Sequence, residues 1–381
     1  MPSRAQLAVI GNHWFPHQPG GLDRYIYELV TALASDQKNI DLYGIGLPPQ
    51  SEIPGLRLHN LAAPQAGLWS RLYAANRHSR GLKSSPVEAV NLHFALYGLA
   101  VLPNLPPNVP VTFTFHGPWA MESQQEGDGK LGVWLKRRME QRVYRRCDRF
   151  IVLSKAFGQV LHQEYAIPWE KIHVIPGGVD TQQFRPSLSR LEARRAINWP
   201  ADRFILFTPR RLVRRMGIDP LLTALGQLKG NHPQLWLAIA GKGPLREELE
   251  QRTKTLGLSS HVKFLGFLPD QQLPIAYQAA DLTVIPSQAL EGFGLVLLES
   301  LASGTPALCT PVGGMPEVIA DFSPQLITES PSAESLASAL GEILTGQIPL
   351  PGRDACRAYA SGFSWPEMAQ RVNQVLLRKR S

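Results

Sequence analysis

Short, nearly unbroken apolar runs alternate with stretches of helical period along most of the chain. Gln6–Gly11 reads as a strand, a loop containing Gly and Pro follows, and apolar positions from about Leu22 to Leu33 recur at the spacing of an amphipathic helix. Val111–Phe115 and Arg149–Leu153 read as further strands, each leading through a loop into a helical stretch. The pattern restarts after Pro186, with strands predicted at Phe204–Thr208, Leu235–Ala240, Val262–Leu265, Leu282–Ile285 and Pro306–Cys309. Strands that are apolar along their whole length and separated by helices belong to parallel sheets covered on both faces. Two such series predict an α/β chain of two doubly wound, Rossmann-like domains facing a central cleft. The predicted boundaries are 1–180, 181–364 and a C-terminal helix in 365–381 that can cross back to the first domain, with Pro176–Pro186 as the linker.

Composition narrows the class. Of 381 residues, 44% are hydrophobic and 18% charged, enough to bury sizeable cores, so a disordered chain is excluded. The 32 Gly and 32 Pro show no collagen-like period and instead punctuate loops. The longest apolar run, Phe94 to Leu102, is far shorter than the ~20 residues a bilayer span needs. The stretch Leu7 to Ile10 is too short for the core of a secretory signal. Cys147, Cys309 and Cys356 lie far apart, which predicts neither a disulfide framework nor a cysteine metal site and fits a reducing compartment. The expectation is a cytoplasmic protein, at most peripheral on the inner face of a membrane.

Ligands of doubly wound sheets bind at the C-terminal ends of the strands, so the loops there carry the candidate chemistry. Glu291, Gly292, Phe293, Gly294 and Leu295 follow one predicted strand and open a helix that reaches Glu299. Glycines there permit close backbone approach, and free amides at a helix start favour a phosphate. Glu299 lies among Leu297, Leu298 and Leu301, so its carboxylate needs a strong partner, which ligand hydroxyls can supply. Arg210, Arg211, Arg214 and Arg215 follow the first strand of the second half, where guanidinium groups match a diphosphate. Lys242 sits in the Gly241–Pro244 turn after the next strand. In the first half, Gly20 and Gly21 occupy the first strand-to-helix loop and His116 ends the strand Val111–Phe115. Each feature alone also fits an ordinary turn, cap or solvated basic loop; their common position is what favours a site.

The missing patterns matter as well. The sequence has no Walker-type phosphate loop, no G-x-G-x-x-G after a strand, no Asp-x-Asp, no H-E-x-x-H and no G-x-S-x-G. Taken together, the segments resemble retaining nucleotide-sugar glycosyltransferases of the two-Rossmann-domain (GT-B) type, group 1 or family 4. The resemblance rests on Gly20-Gly21, Phe115-His116-Gly117, Asp148–Ser154, Val174–Asp180 and Arg211 with Gly217. It continues through Ala240–Pro244, Phe264–Pro269, the Glu291…Glu299 pair and Pro311–Glu317. It implies transfer of a hexose-type sugar from a nucleotide-diphosphate donor to an acceptor hydroxyl, with retained anomeric configuration and with neither metal nor cofactor. The implied acceptor is a glycan, a lipid-linked sugar or a small molecule. By the same resemblance Glu299 binds the ribose, Glu291 with the amides of Gly292 to Leu295 holds the sugar, and Arg211 lies on the diphosphate. Arg215 and Lys242 assist as further donor-binding cations, as do the amides of Gly20 and Gly21. His116 stands near the reacting sugar.

Met216 departs from the pattern, because the family usually has a Lys there as a second diphosphate cation. A thioether cannot neutralise phosphate, so a non-catalytic nucleotide-sugar-binding protein of the same fold is the alternative. A sugar-nucleotide epimerase on a similar scaffold is a more distant rival.

The net charge of +8 is concentrated locally. Residues 130–149 form a predicted helix rich in Lys and Arg, with Met139, Val143 and Cys147 as an apolar stripe. Either the stripe packs an ordinary surface helix, or the helix contacts anionic lipid headgroups. Trp69, Arg71, Tyr73, Arg77, Arg80 and Lys83 form a second basic-aromatic stretch. No nucleic-acid motif accompanies the charge, and no nucleic-acid partner is expected.

Overall fold

The structure is a computed structural model that describes residues 6–18, 20–36 and 38–378. It divides into two units: the described residues up to Gly177 together with those from Trp365 onward, and Gly178–Ser364.

In the first unit seven strands, β1 (Gln6–His13), β2 (Asn39–Ile45), β3 (Leu56–Ala62), β4 (Ala89–Leu92), β5 (Val111–Phe115), β6 (Arg149–Val152) and β7 (Ile172–Val174), form one sheet. All pair in parallel, in the order β3-β2-β1-β4-β5-β6-β7. Leu7, Ala8, Val9 and Ile10 of β1 are all buried, the consequence of helices on both sheet faces. Helix Gly21–Ser35 turns Tyr25, Ile26, Leu29, Val30 and Leu33 inward at helical spacing. The C-terminal helix Trp365–Leu377 packs on it, the Trp365 ring 5.5 Å from that of Tyr25, and Arg371 donates to the Val174 carbonyl at 3.1 Å.

The second unit has five parallel strands, β8 (Phe204–Pro209), β9 (Leu235–Ala240), β10 (Val262–Gly266), β11 (Leu282–Ile285) and β12 (Ala307–Cys309), in the order β10-β9-β8-β11-β12. Both sheets therefore reverse their winding beside their first strand, between β1 and β4 and between β8 and β11. That reversal opens a crevice at the carboxyl ends of the strands.

Three differences from the sequence expectation have physical causes. β2 carries Asp41 at a buried position, where Arg57 and His59 of β3 each approach its carboxylate to 2.8 Å, so it lacks an apolar run. β3 is half-exposed at the sheet edge, and β7 has only three residues. The apolar run after His93 is a buried helix, Ala95–Val101, preceded by the unforeseen strand β4.

Candidate functional site

The loops after β8 and β11 meet at the reversal point of the second sheet. Gln288 N donates to the Arg215 carbonyl at 2.7 Å, and Arg215 Nη1 donates to the Leu290 carbonyl at 3.1 Å. Gly217, with φ +71°, makes this approach possible: a Cβ there would lie 1.8 Å from the Pro286 carbonyl oxygen. From the other side Gly313 closes on the same loop, where a Cβ would stand 1.9 Å from the Glu291 carbonyl oxygen, and Gly314 N donates to that oxygen at 3.0 Å. Leu290 is held at φ +53°, a strained conformation for a branched residue.

Arg210 is the side chain that organises this crevice. Its Nη2 lies 3.0 Å from Glu291 Oε2, with both side chains largely buried, and Ser287 Oγ donates to the same carboxylate oxygen at 3.3 Å. Glu291 is thereby fixed in direction. Arg215 is buried under the loop, whereas Arg211 and Arg214 are exposed beside it. Lys242, in the neighbouring loop, is exposed and lies 5.6 Å over the Phe267 ring, while its carbonyl accepts from Leu212 N.

Gly294, at φ +86°, starts the helix Leu295–Ala302, which has neither a side-chain cap nor an acidic residue in its first turn. The cap residue therefore offers the first amides no side-chain acceptor, and the helix dipole favours an anion there. Gly292 and Leu295 are half-buried at this start, and Phe293 packs inward with its ring 6.4 Å from Phe363. About one turn on, Glu299 is buried and accepts a 2.9 Å hydrogen bond from Tyr277 Oη. Met216 is buried, its sulfur 4.0 Å from Ser287 Oγ.

In the first unit the matching crevice holds a different set. Gly20 and Gly21 are exposed at the start of helix Gly21–Ser35, with Asp23 in its first turn. Asp23 accepts from His13 N at 2.8 Å, and burial raises its pKa. His116 at the end of β5 is half-buried, and its Nε2 lies 3.0 Å from Nδ1 of His93 at the end of β4. Burial pushes the His116 pKa down to about 3.

The helix after His116, Trp119–Gln125, is anchored by a fully buried carboxyl from the basic helix Lys130–Tyr144. Glu140 Oε2 accepts from Tyr165 Oη at 2.7 Å and from Ala120 N at 3.4 Å, and burial pushes its pKa up to about 7. The Met139–Val143–Cys147 stripe of that segment faces the core. A separate apolar face, Leu131, Trp134 and Leu135, points to solvent.

The geometry thus gathers Arg211, Arg215, Lys242, Glu291 to Leu295 and Glu299 in one unit, and Gly20, Gly21 and His116 in the other. Sequence reasoning missed Ser287, Tyr277, His93 and Asp23, and it named Arg210 only as one of four arginines suited to a diphosphate. Arg210 had a signal in its place directly after a strand; Ser287 and Tyr277 had none.

Residues 189–362 match the family described as glycosyl transferases group 1, and residues 19–183 match glycosyltransferase family 4. The chain belongs to the group 1 glycosyltransferases. It is 28% identical to a D-inositol 3-phosphate glycosyltransferase of Corynebacterium jeikeium, over 97% of this chain and 96% of the relative. The fold is also that of sucrose-phosphate synthase from Thermosynechococcus elongatus, with a TM-score of 0.81 at 23% identity over 98% of each chain. HepE of Anabaena, solved with UDP and glucose, superposes with a TM-score of 0.78 at 19% identity, covering 98% of this chain and 99% of that one. The group 1 glycosyltransferase therefore has the GT-B fold expected from its sequence. Among the described residues no group of three His, Cys, Asp or Glu side chains could hold a metal ion, and no helix is long and apolar enough to cross a membrane.

Proposed function

We propose that this glycosyltransferase moves a hexose-type sugar from a nucleoside-diphosphate donor to an acceptor hydroxyl, with retention and without a metal ion. The observation that carries the reading is the uncapped, acid-free start of helix Leu295–Ala302 beside the Arg210–Glu291 pair. A diphosphate on those amides would lie among Arg210, Arg211, Arg214, Arg215 and Lys242, cations enough to stabilise the leaving charge in place of a divalent ion. Glu291, fixed by Arg210 and Ser287, would accept hydrogen bonds from the sugar hydroxyls, and Glu299 would take the ribose hydroxyls. Backbone amides at Gly20 and Gly21 would add to the diphosphate contacts, and His116 would meet the reacting sugar. Burial lowers the His116 pKa, which makes the ring a weaker base than a free imidazole. That favours a retaining route in which the departing phosphate takes the acceptor proton.

The test is nucleotide release by the purified protein from UDP-, GDP- and ADP-sugars, with and without EDTA, in the presence of an acceptor extract. The expected result is release from one donor at a rate EDTA does not change. Binding without release, in both the wild type and Met216→Lys, would overturn transfer in favour of a protein that only binds nucleotide sugars. Release abolished by EDTA would overturn metal independence.

The acceptor side carries a second element of the proposal, contact with an anionic membrane. Helices Leu68–His78 and Lys130–Tyr144 both pack on helix Ala95–Val101 and each presents apolar residues outward. Trp69 is 78% exposed, Leu131 71% and Trp134 53%, with Tyr73 and Leu135 beside them. Arg77, Lys130, Arg138 and Arg142 are exposed on the same helices, whose single acid, Glu140, is buried. Aromatic and aliphatic tips among basic side chains suit a lipid interface, each cation contributing about 1 kcal/mol near anionic headgroups. Such contact would place a lipid-linked acceptor beside the first unit.

A further inference from the structure

β4 and β5 are neighbours in the first sheet, and a histidine directly follows each, so parallel pairing brings His93 and His116 side by side at the mouth of the crevice. Their rings lie 5.3 Å apart with planes 24° from parallel, joined by the 3.0 Å contact from Nδ1 of His93 to Nε2 of His116. Tyr25 packs edgewise on His116 at 4.8 Å and against His93 at 6.0 Å, and Trp365 backs Tyr25 in turn. His93 is 2% exposed, and its Nε2 has no hydrogen-bonding partner among the described residues. A buried imidazole with one nitrogen unpaired loses favourable solvation, so packing alone does not account for its polar ring.

We infer that His93 is a positioning residue for the transfer: it engages Nε2 of His116, fixes that ring and leaves Nδ1 as the nitrogen that meets the reacting sugar or the acceptor. The inference rests on the proposed role of His116. The chemistry follows from the two nitrogens of a neutral imidazole, one a donor and one an acceptor. Whichever ring donates in the pair, His116 Nε2 is committed to His93, and the proton on His116 is coupled to that on its partner. Without His93 the ring would turn about its side-chain bonds and either nitrogen could face the ligand, which costs rate through misorientation rather than through lost binding.

His93→Phe keeps an aromatic ring against Tyr25 but removes the nitrogen. His93→Asn returns a polar atom near the place of Nδ1. The expected result is a His93→Phe protein with a wild-type melting temperature, a donor KM within about twofold of wild type and a kcat lower by about 10- to 100-fold, most of which His93→Asn restores. Side-chain ¹H–¹⁵N spectra of ¹⁵N-histidine protein read the tie directly: the Nε2 resonance of His116 shifts in His93→Phe and returns towards its wild-type position in His93→Asn. Full kcat in a folded His93→Phe protein, equal impairment in both variants, or an Nε2 resonance indifferent to His93 would each overturn the inference. If His116→Ala itself keeps full activity, the proposed role of His116 fails; the resonance shift still reports separately on the tie.

Discussion

Glu140→Gln removes one buried titratable proton and leaves the shape of the side chain intact. Glu140 is fully buried and held by Tyr165, Tyr144 and the Ala120 amide. Burial lifts its pKa from 4.5 to about 7, although the Tyr165 and backbone hydrogen bonds and the Arg137 charge pull it down. Between those two values the folded protein holds a proton that the unfolded chain has released, so stability falls as pH rises through the window. A gap of about 2.5 units at ~1.36 kcal/mol each amounts to roughly 3 kcal/mol. The variant has no such proton to lose. Its stability relative to wild type therefore rises by roughly 3 kcal/mol between about pH 5 and pH 8, or about 6–12 °C in the midpoint of a unit this size. Thermal melts of both full-length proteins across that range measure the difference and cancel the titration of other groups. A difference that stays constant with pH refutes the reasoning, because it would mean that Glu140 carries the same charge in both states.

Other outcomes follow from the same geometry. Gly217→Ala puts a methyl into the Pro286 carbonyl at a positive φ; a loss of roughly 2–3 kcal/mol and weakened donor binding are expected, and unchanged melting and titration curves would contradict it. Glu291→Gln keeps a partner for Arg210 and abolishes transfer while the fold survives, whereas Glu291→Ala strands a buried guanidinium and loses about 3–5 kcal/mol as well; paired melts and rate assays separate the two. Wild-type protein sediments at low salt with vesicles containing phosphatidylglycerol but not with pure phosphatidylcholine, and Trp134→Ser weakens retention; equal retention of variant and wild type would remove that face from the contact.

The sequence carried the α/β class and the two-series layout because continuous apolar strands such as Leu235–Ala240 announce burial on both faces. It could not show β2 and β3, whose pattern is broken by Asp41 and by exposure at a sheet edge. The donor-side residues were legible as segments, since glycines and arginines recur after several strands at the same end of the sheet, though each alone fits an ordinary turn. Their pairing was not. That Arg210 grips Glu291 depends on loop geometry set by Gly217 and Gly313. In sequence Glu140 is simply an acid on a basic helix, and only packing against Tyr165 and Ala120 reveals it as a buried anchor. His93 was hidden for a similar reason: its meaning arises from strand neighbours 23 residues apart.

The proposed donor site puts a nucleoside diphosphate on the start of helix Leu295–Ala302, beside Arg210 and Glu291. Amide hydrogen exchange of the full chain, free and saturated with UDP, GDP or ADP, tests it most directly. Slowed exchange at Gly292 to Leu295 and in the 210–217 loop with at least one nucleotide is the predicted result. Binding that leaves those amides unchanged and protects another part of the chain would contradict the account.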